Sequence, residues 1–173
     1  MNNSNIDNTS IDDVQERIEN GIVFEVSSKQ SVANAGGEAK WLFVTGNKRV
    51  VVYSRTVTSN GDELEYQAFK APTVSANGTP LTVGKRNGNS PINTTVKVYE
   101  APTTTADGQG IPSVYMPGAS GQGQAVIGQF NQEGFVRILE PNTVYMVHVI
   151  NQGTVNPANV EWYLMWAELN LPA

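Results

Sequence analysis

At 173 residues the chain has room for one full domain whose core needs no staples, and it carries 11 Lys+Arg against 16 Asp+Glu, a formal charge of −5. That balance repels phosphate backbones and argues against nucleic acid as a partner, while the absence of cysteine excludes disulfides and thiolate metal sites. No apolar run approaches the ~20 residues that cross a bilayer and the N-terminus shows no secretion-signal pattern, so a soluble chain with no membrane partner, assembled in a reducing cytosol, is expected.

Sixteen Gly and nine Pro, with many Asn, Thr and Ser, favour strands and turns over helices. Residues 1–9 are almost wholly polar and are expected to form a flexible arm. Ser10 then reads as an N-cap, with Asp12 and Asp13 in the first turn, apolar Ile11, Val14 and Ile18 at i, i+3 and i+7, and Gly21 as the stop. A helix of about three turns is marginal alone, so this narrow stripe has to dock; its own domain and a partner are both open. Arm and helix are read as one unit, residues 1–21, and residues 22–173 as one β-sandwich domain.

From Ile22 the period changes to two. Strands are predicted over residues 22–26, 41–45, 50–57 and 64–69, with a Ser/Asn/Gly loop from 27 through Gly37, a hairpin-type turn at Gly46-Asn47 and another turn at Asn60-Gly61. Along the third strand Arg49, Val51, Tyr53 and Val57 are expected on one face, and Val50, Val52, Ser54 and Thr56 on the other. An internal echo follows. Phe69, Ala71-Pro72 and Ala76-Asn77-Gly78 are answered by Tyr99, Ala101-Pro102 and Ala106-Asp107-Gly108: an aromatic ends a strand, Ala-Pro breaks the ladder, and Asn-Gly or Asp-Gly turns the chain. Two copies are too few for a solenoid, so residues 64–80 and 94–112 are read as two strand-and-corner units in one sandwich. Polar loops are predicted at 84–91 and 117–124, strands at 125–130 and 135–139, and a corner at Glu140-Pro141-Asn142. The fold class is all-β: an antiparallel β-sandwich, jelly-roll-like, with a short N-terminal helix and a flexible arm.

The last two predicted strands, 145–150 and 160–169, are apolar on both faces. Tyr145, Val147 and Val149 alternate with Met146, His148 and Ile150, and Val160, Trp162, Leu164 and Trp166 alternate with Glu161, Tyr163, Met165, Ala167 and Leu169. An antiparallel sheet with one wet face reads polar on that face, so a strand pair of this kind has to be covered twice. The second cover is expected to be another protein chain, with Met165 and Trp166, and Ile11, Val14 and Ile18 of the helix, as the residues that meet it.

Little in the chain resembles catalytic machinery. The one histidine, His148, lies in a predicted strand, where a hydrogen-bonded structural role is the ordinary one, and zinc would need its remaining ligands from carboxylates. Asp62, Glu63 and Glu65 follow a turn and Glu133 and Glu140 flank a strand, positions where solvated acids are commonplace. Gly118, Gly121 and Gly123 precede neither a lysine nor a helix pattern and cradle no phosphate. Lys48-Arg49 and Lys85-Arg86 read as solvated loop ends. Trp41, Tyr115, Trp162 and Trp166 are the flat faces that a carbohydrate-binding module would need, although core packing suits Trp162 and Trp166 better. No enzyme activity, cofactor or metal is expected.

Over residues 96–108 and 138–151, followed by the tryptophan-bearing final strand, the chain resembles virion structural proteins of tailed bacteriophages. It looks most like their small head decoration, or capsid cement, proteins. The likeness spans about residues 37–169 and leaves out the arm and helix; it rests on turn-and-strand phrases, and no functional residues carry over. It implies a jelly-roll-like domain, assembled in the host cytoplasm, that sits on the capsid surface of the virion. Its partners would be the major capsid protein and further copies of itself, a homo-oligomer for which a trimer is one arrangement. A tail, baseplate or head-fibre component and a carbohydrate-binding module are the alternatives.

Overall fold

The computed structural model describes residues 9–33, 36–60, 63–116, 127–131, 137–153 and 158–170. Among these described residues one helix, α1 (Thr9–Glu19), precedes fourteen strands: β1 (Val23–Val32), β2 (Glu38–Val44), β3 (Arg49–Asn60), β4 (Leu64–Lys70), β5 (Thr73–Ala76), β6 (Thr79–Pro80), β7 (Gly84–Lys85), β8 (Lys97–Glu100), β9 (Thr103–Ala106), β10 (Gln109–Met116), β11 (Ile127–Asn131), β12 (Arg137–Leu139), β13 (Val144–Asn151) and β14 (Ala158–Leu169). One sheet has the order β11-β3-β14-β1-β7, with β12 also on β3, and the other the order β10-β4-β13-β2-β8-β6; β5 and β9 form a separate ribbon. All pairings are antiparallel.

The chain passes from one large sheet to the other at the connections β1–β2, β2–β3, β3–β4, β6–β7, β7–β8, β10–β11, β12–β13 and β13–β14. Early strands pair with late ones, β1 with β14 and β2 with β13, which is jelly-roll connectivity. Three sequence expectations are thereby corrected. Gly46-Asn47 does not close a hairpin, because β2 and β3 lie in opposite sheets. Nor do β13 and β14 pair with each other. And β1 runs through the stretch expected to be a loop: all ten of its residues find partners on β14, from Val23↔Ala167 to Val32↔Ala158, so continuous pairing with that neighbour overrides the weak strand preference of Ser27, Ser28 and Ser31.

The core lies between the sheets. Trp162 of β14 stacks on Trp41 of β2 with centroids 5.6 Å apart, and Trp166 meets Phe43 edge-on at 5.0 Å and Phe24 at 6.1 Å. The first two pairs knit the two sheets together and the third, between Phe24 and Trp166, lies within one sheet, each adding roughly 1 kcal/mol beyond the burial of its area. A bulge on β3 explains a second difference from the expected pattern. Met165 pairs Ser54 and Trp166 pairs Val52, which leaves Tyr53 as the extra residue. The alternation shifts there, so Val57 joins Val50 and Val52 in the core instead of sharing the face of Val51.

The echoed segments obey an internal twofold. Lys70 pairs Tyr145 and Phe69 pairs Met146, just as Glu100 pairs Trp41 and Tyr99 pairs Leu42. Each copy then turns at an alanine with positive φ, Ala71 (54°) and Ala101 (51°), whose N–H donates to Val144 O and Lys40 O at 2.8 and 2.9 Å. β5 and β9 pair with each other, and the strand after each turn returns to the other copy, β6 onto β8 and β10 onto β4. The pseudo-dyad passes through the pairs Val74↔Thr104 and Leu42↔Met146. Because β4 and β8 flank β13-β2 and their corners lie at diagonally opposite ends, the ribbon crosses the outer face of that central strand pair.

Candidate interaction surface

Each sheet's outer face has a described element of the same chain over or against it. Under the ribbon, Leu42 and Met146 are 0% and 1% exposed although neither belongs to the core between the sheets. Pro72 and Pro102 are buried at its two ends, while Thr73, Ser75, Thr103 and Thr105 point to solvent. The second apolar face of β13 is therefore covered from within, by the echoed corners, and needs no other chain. This corrects the argument from doubly greasy strands: the cover comes from residues 71–108, a stretch whose own composition is polar.

On the other sheet Val23, Ala167 and Val51 form a buried row across β1, β14 and β3. α1 is tied to this side, with Arg17 Nη1 donating to Tyr53 Oη and its guanidinium 5.8 Å from that ring centroid. The helix ends as predicted at Gly21, in a Schellman arrangement: Ile22 N–H donates to Arg17 O at 3.2 Å, Gly21 N–H donates to Ile18 O at 2.9 Å, and Gly21 has φ 72°. Asn87 Nδ2 donates to Glu19 O at 3.0 Å, and Ser90 Oγ to Gly21 O at 3.1 Å. Among the described residues, these contacts of α1 with the rest of the chain gather at its C-terminal end.

The residues expected to meet a partner fall in different places. Val14 and Ile18 are half-buried on α1, and Ile11 lies in α1 with its side chain outside the described residues. Met165 is half-buried on the outer face of β14, amid Glu25 and Ser54, the residues it pairs with. Trp166 is 0% exposed and points the other way, into the inter-sheet core, so it offers no surface to a partner. Trp41 and Trp162 are 0% and 1% exposed, which removes them as flat platforms for a sugar ring. The side chain of Tyr115 lies outside the described residues, as do the arm over residues 1–8 and the predicted loop at 117–124.

The polar groups that drew attention in the sequence are held structurally. Glu65 accepts from Gln67 Nε2 at 2.8 Å and Gln152 Nε2 at 2.9 Å, and Glu140 pairs with Lys70 Nζ at 2.5 Å. Asp62 and Glu133 lie outside the described residues. Arg86 meets Glu25 at 3.1 Å, and the same carboxylate oxygen accepts from Tyr163 Oη at 2.9 Å. Burial and that hydrogen bond push the Tyr163 hydroxyl up to about 12. No cluster of three metal-ligating side chains occurs among the described residues.

His148 is 4% exposed, on the ribbon-covered face of β13, between Lys40 of β2 and Gln67 of β4. Its Nε2 lies 3.4 Å from Glu38 Oε2, the Phe69 ring is 6.3 Å away, and neither ring nitrogen has a hydrogen-bond partner among the described residues. Burial, helped by Lys40, pulls its pKa below 6.5 against the opposing pull of Glu38 and Asp107. The folded state thus holds a neutral imidazole that the unfolded chain protonates more readily. Its contribution is complete above about pH 6.5 and drains away as the pH falls from there towards the folded pKa, by at most about 1.4 kcal/mol per pH unit for one proton. Urea unfolding at pH 7.5, 6.5 and 5.5 should show the native chain losing stability faster than His148→Gln; parallel pH profiles would dismiss this role.

Sequence reasoning missed Glu168. It is 2% exposed, and both its oxygens accept hydrogen bonds from residues 94–95, the segment that leads into β8. The signal was there in the alternation of β14: Val160, Trp162, Leu164 and Trp166 all point inward, and Glu168 is the next position in that series.

No protein-family model matches the chain and no curated protein matches it. Among solved structures it is similar to T=1 particles derived from infectious bursal virus, with 14% identity and a TM-score of 0.22, over 87% of this chain and 40% of that one. A structure of the Gt strain of infectious bursal disease virus is similar at 13% identity and a TM-score of 0.18, over 87% and 41%. The chain spans about two fifths of the length of these two chains, and a superposition at that level carries no argument about fold or function.

Proposed function

We propose that the chain is a non-enzymatic structural protein of a virus particle. The finer reading is a head decoration protein of a tailed bacteriophage, which reinforces the capsid exterior by contacts with the major capsid protein and with its own copies. The observation that favours a scaffold of this kind is the jelly roll whose two outer faces are met by its own ribbon and helix, beside an α1 fastened at one end with Val14 and Ile18 only half-buried. A stiff body with one apolar helical stripe still partly open suits docking on a neighbour, and many copies on one shell turn weak contacts into a lasting assembly. The resemblance over residues 96–108 and 138–151 supports the virion setting.

The test uses particles assembled with the full chain. Val14→Asp combined with Ile18→Asp is expected to abolish incorporation while moving the unfolding free energy of the free chain by less than about 1 kcal/mol, as for substitutions away from the core. Normal incorporation of the double variant would remove α1 from the interface. Copy number from mass spectrometry of purified particles separates the locations: a number on the scale of the shell subunits supports decoration, and one on the scale of a single vertex favours the tail reading.

A further inference from the structure

Four Asn-Gly pairs occur in the sequence: Asn20-Gly21, Asn60-Gly61, Asn77-Gly78 and Asn87-Gly88. A glycine after asparagine has no Cβ to fend off the preceding side chain, so its backbone nitrogen can reach the Asn Cγ and close a cyclic succinimide. The fold decides where that closure is open. The side-chain amide has to be free to turn, the glycine N–H has to be free to be given up, and water has to reach both.

The pairs differ on these counts. Asn20 is exposed, but Gly21 is buried and its N–H donates to Ile18 O at 2.9 Å in the helix stop, so closure there costs a backbone hydrogen bond. Asn87 is half-buried and held at both ends of its amide: Nδ2 donates to Glu19 O at 3.0 Å, and Oδ1 accepts from Asn89 N at 3.1 Å. Gly61 lies outside the described residues, which leaves its pair out of the ranking. Asn77 and Gly78 are both exposed, and among the described residues neither the Asn77 side chain nor the Gly78 N–H has a hydrogen-bond partner. The internal twofold adds a second observation. Asp107-Gly108 stands where the pseudo-dyad puts Asn77-Gly78, with Gly108 at φ 84° and Gly78 at 85°, so the fold already accepts an aspartate at this place in the corner.

We propose that Asn77 is a site of spontaneous deamidation in the folded chain. The Gly78 nitrogen bonds to Asn77 Cγ, and the side-chain nitrogen leaves as ammonia with the proton that Gly78 gives up. Water then opens the ring. Opening at Cγ leaves aspartate, which copies the twin corner; opening at the main-chain carbonyl leaves isoaspartate, which adds a methylene to the backbone. The corner has no slack for it, since even a Cβ on Gly78 would come within 2.1 Å of Glu100 O. The site does not depend on the virion reading.

The purified full chain is aged at pH 8, folded and in urea, and mapped site by site by peptide mass spectrometry with isoaspartate resolved by electron-transfer fragmentation. In the folded chain Asn77 should convert at least threefold faster than Asn20 and Asn87, and the three rates should draw together in urea. A folded-state rate at Asn77 no higher than at the other two would overturn the site, and an ordering unchanged in urea would overturn the part given to the fold. Asn77→Asp, the first product made directly, should keep the urea midpoint of the native chain, whereas aged chains carrying isoaspartate should unfold at lower urea. A large loss for Asn77→Asp would overturn the argument from the twin corner.

Discussion

Glu168→Ala is expected to destabilise the chain by about 3–5 kcal/mol, the cost of stripping a buried charged group from its partners. The carboxylate accepts from Thr94 Oγ1, from Thr95 N at 2.9 Å and from Thr95 Oγ1 at 2.6 Å, with Trp166 Nε1 at 3.4 Å. Alanine removes every acceptor and leaves these donors inside, where each unmade bond costs about 1–3 kcal/mol. The damage should reach beyond the last strand. Thr94 Oγ1 also accepts from Val96 N at 3.0 Å, so residues 94–96 lose the template that delivers β8 to the sheet edge. Urea unfolding followed by tryptophan fluorescence reads the loss directly. Glu168→Gln keeps the shape but turns an amide donor towards donors, and should recover less than half of it. A loss under 1 kcal/mol for alanine would show that the clamp is dispensable.

The second large effect concerns the pseudo-dyad. Gly78 and Gly108 have φ of 85° and 84°, and a Cβ at either would come within 2.1 Å of Glu100 O or 2.4 Å of Lys70 O. Those two carbonyls are themselves dyad-related, so Gly78→Ala and Gly108→Ala meet the same obstacle. An L-residue in this region costs roughly 1–2 kcal/mol before any clash, and backbone atoms cannot swing aside as a flexible side chain would, so about 2–3 kcal/mol is expected for each. Hydrogen exchange should speed up in β5 and β9 and at the Leu42 and Met146 amides beneath them, with β1 and β14 little changed. Equal losses at the two glycines would establish the internal symmetry in solution. A loss at one alone would mean that the two corners are alike in sequence but not in strain.

Much of the architecture was legible because it is written in short-range pattern. Ser10 to Gly21 carried a helix with its stop, period-two runs marked most strands, and the echo of Ala71-Pro72 in Ala101-Pro102 foretold two matching corners. What was misread depended on which strand lies beside which. Ser27 to Ser31 looked like a loop because polar residues rarely choose a strand, yet β14 on one side supplies their pairing. Val57 was placed on the wrong face because a one-residue bulge at Tyr53 is invisible to an alternation rule. Trp166 suits a partner only if apolar β13 and β14 are neighbours in one sheet, and they lie in opposite sheets.

By itself, then, the amino-acid order determined the class: an acidic, cysteine-free, turn-punctuated β domain with one amphipathic helix and a duplicated corner. Those properties depend on backbone preference and on residues a few positions apart. Only the tertiary structure decided that the duplicated corners fold over β13, that Glu168 is caught by Thr94 and Thr95, and that Arg55 and Arg137 lie on the inward face of their sheet. These juxtapositions join residues far apart in the sequence, and no local propensity encodes which distant strand will arrive alongside.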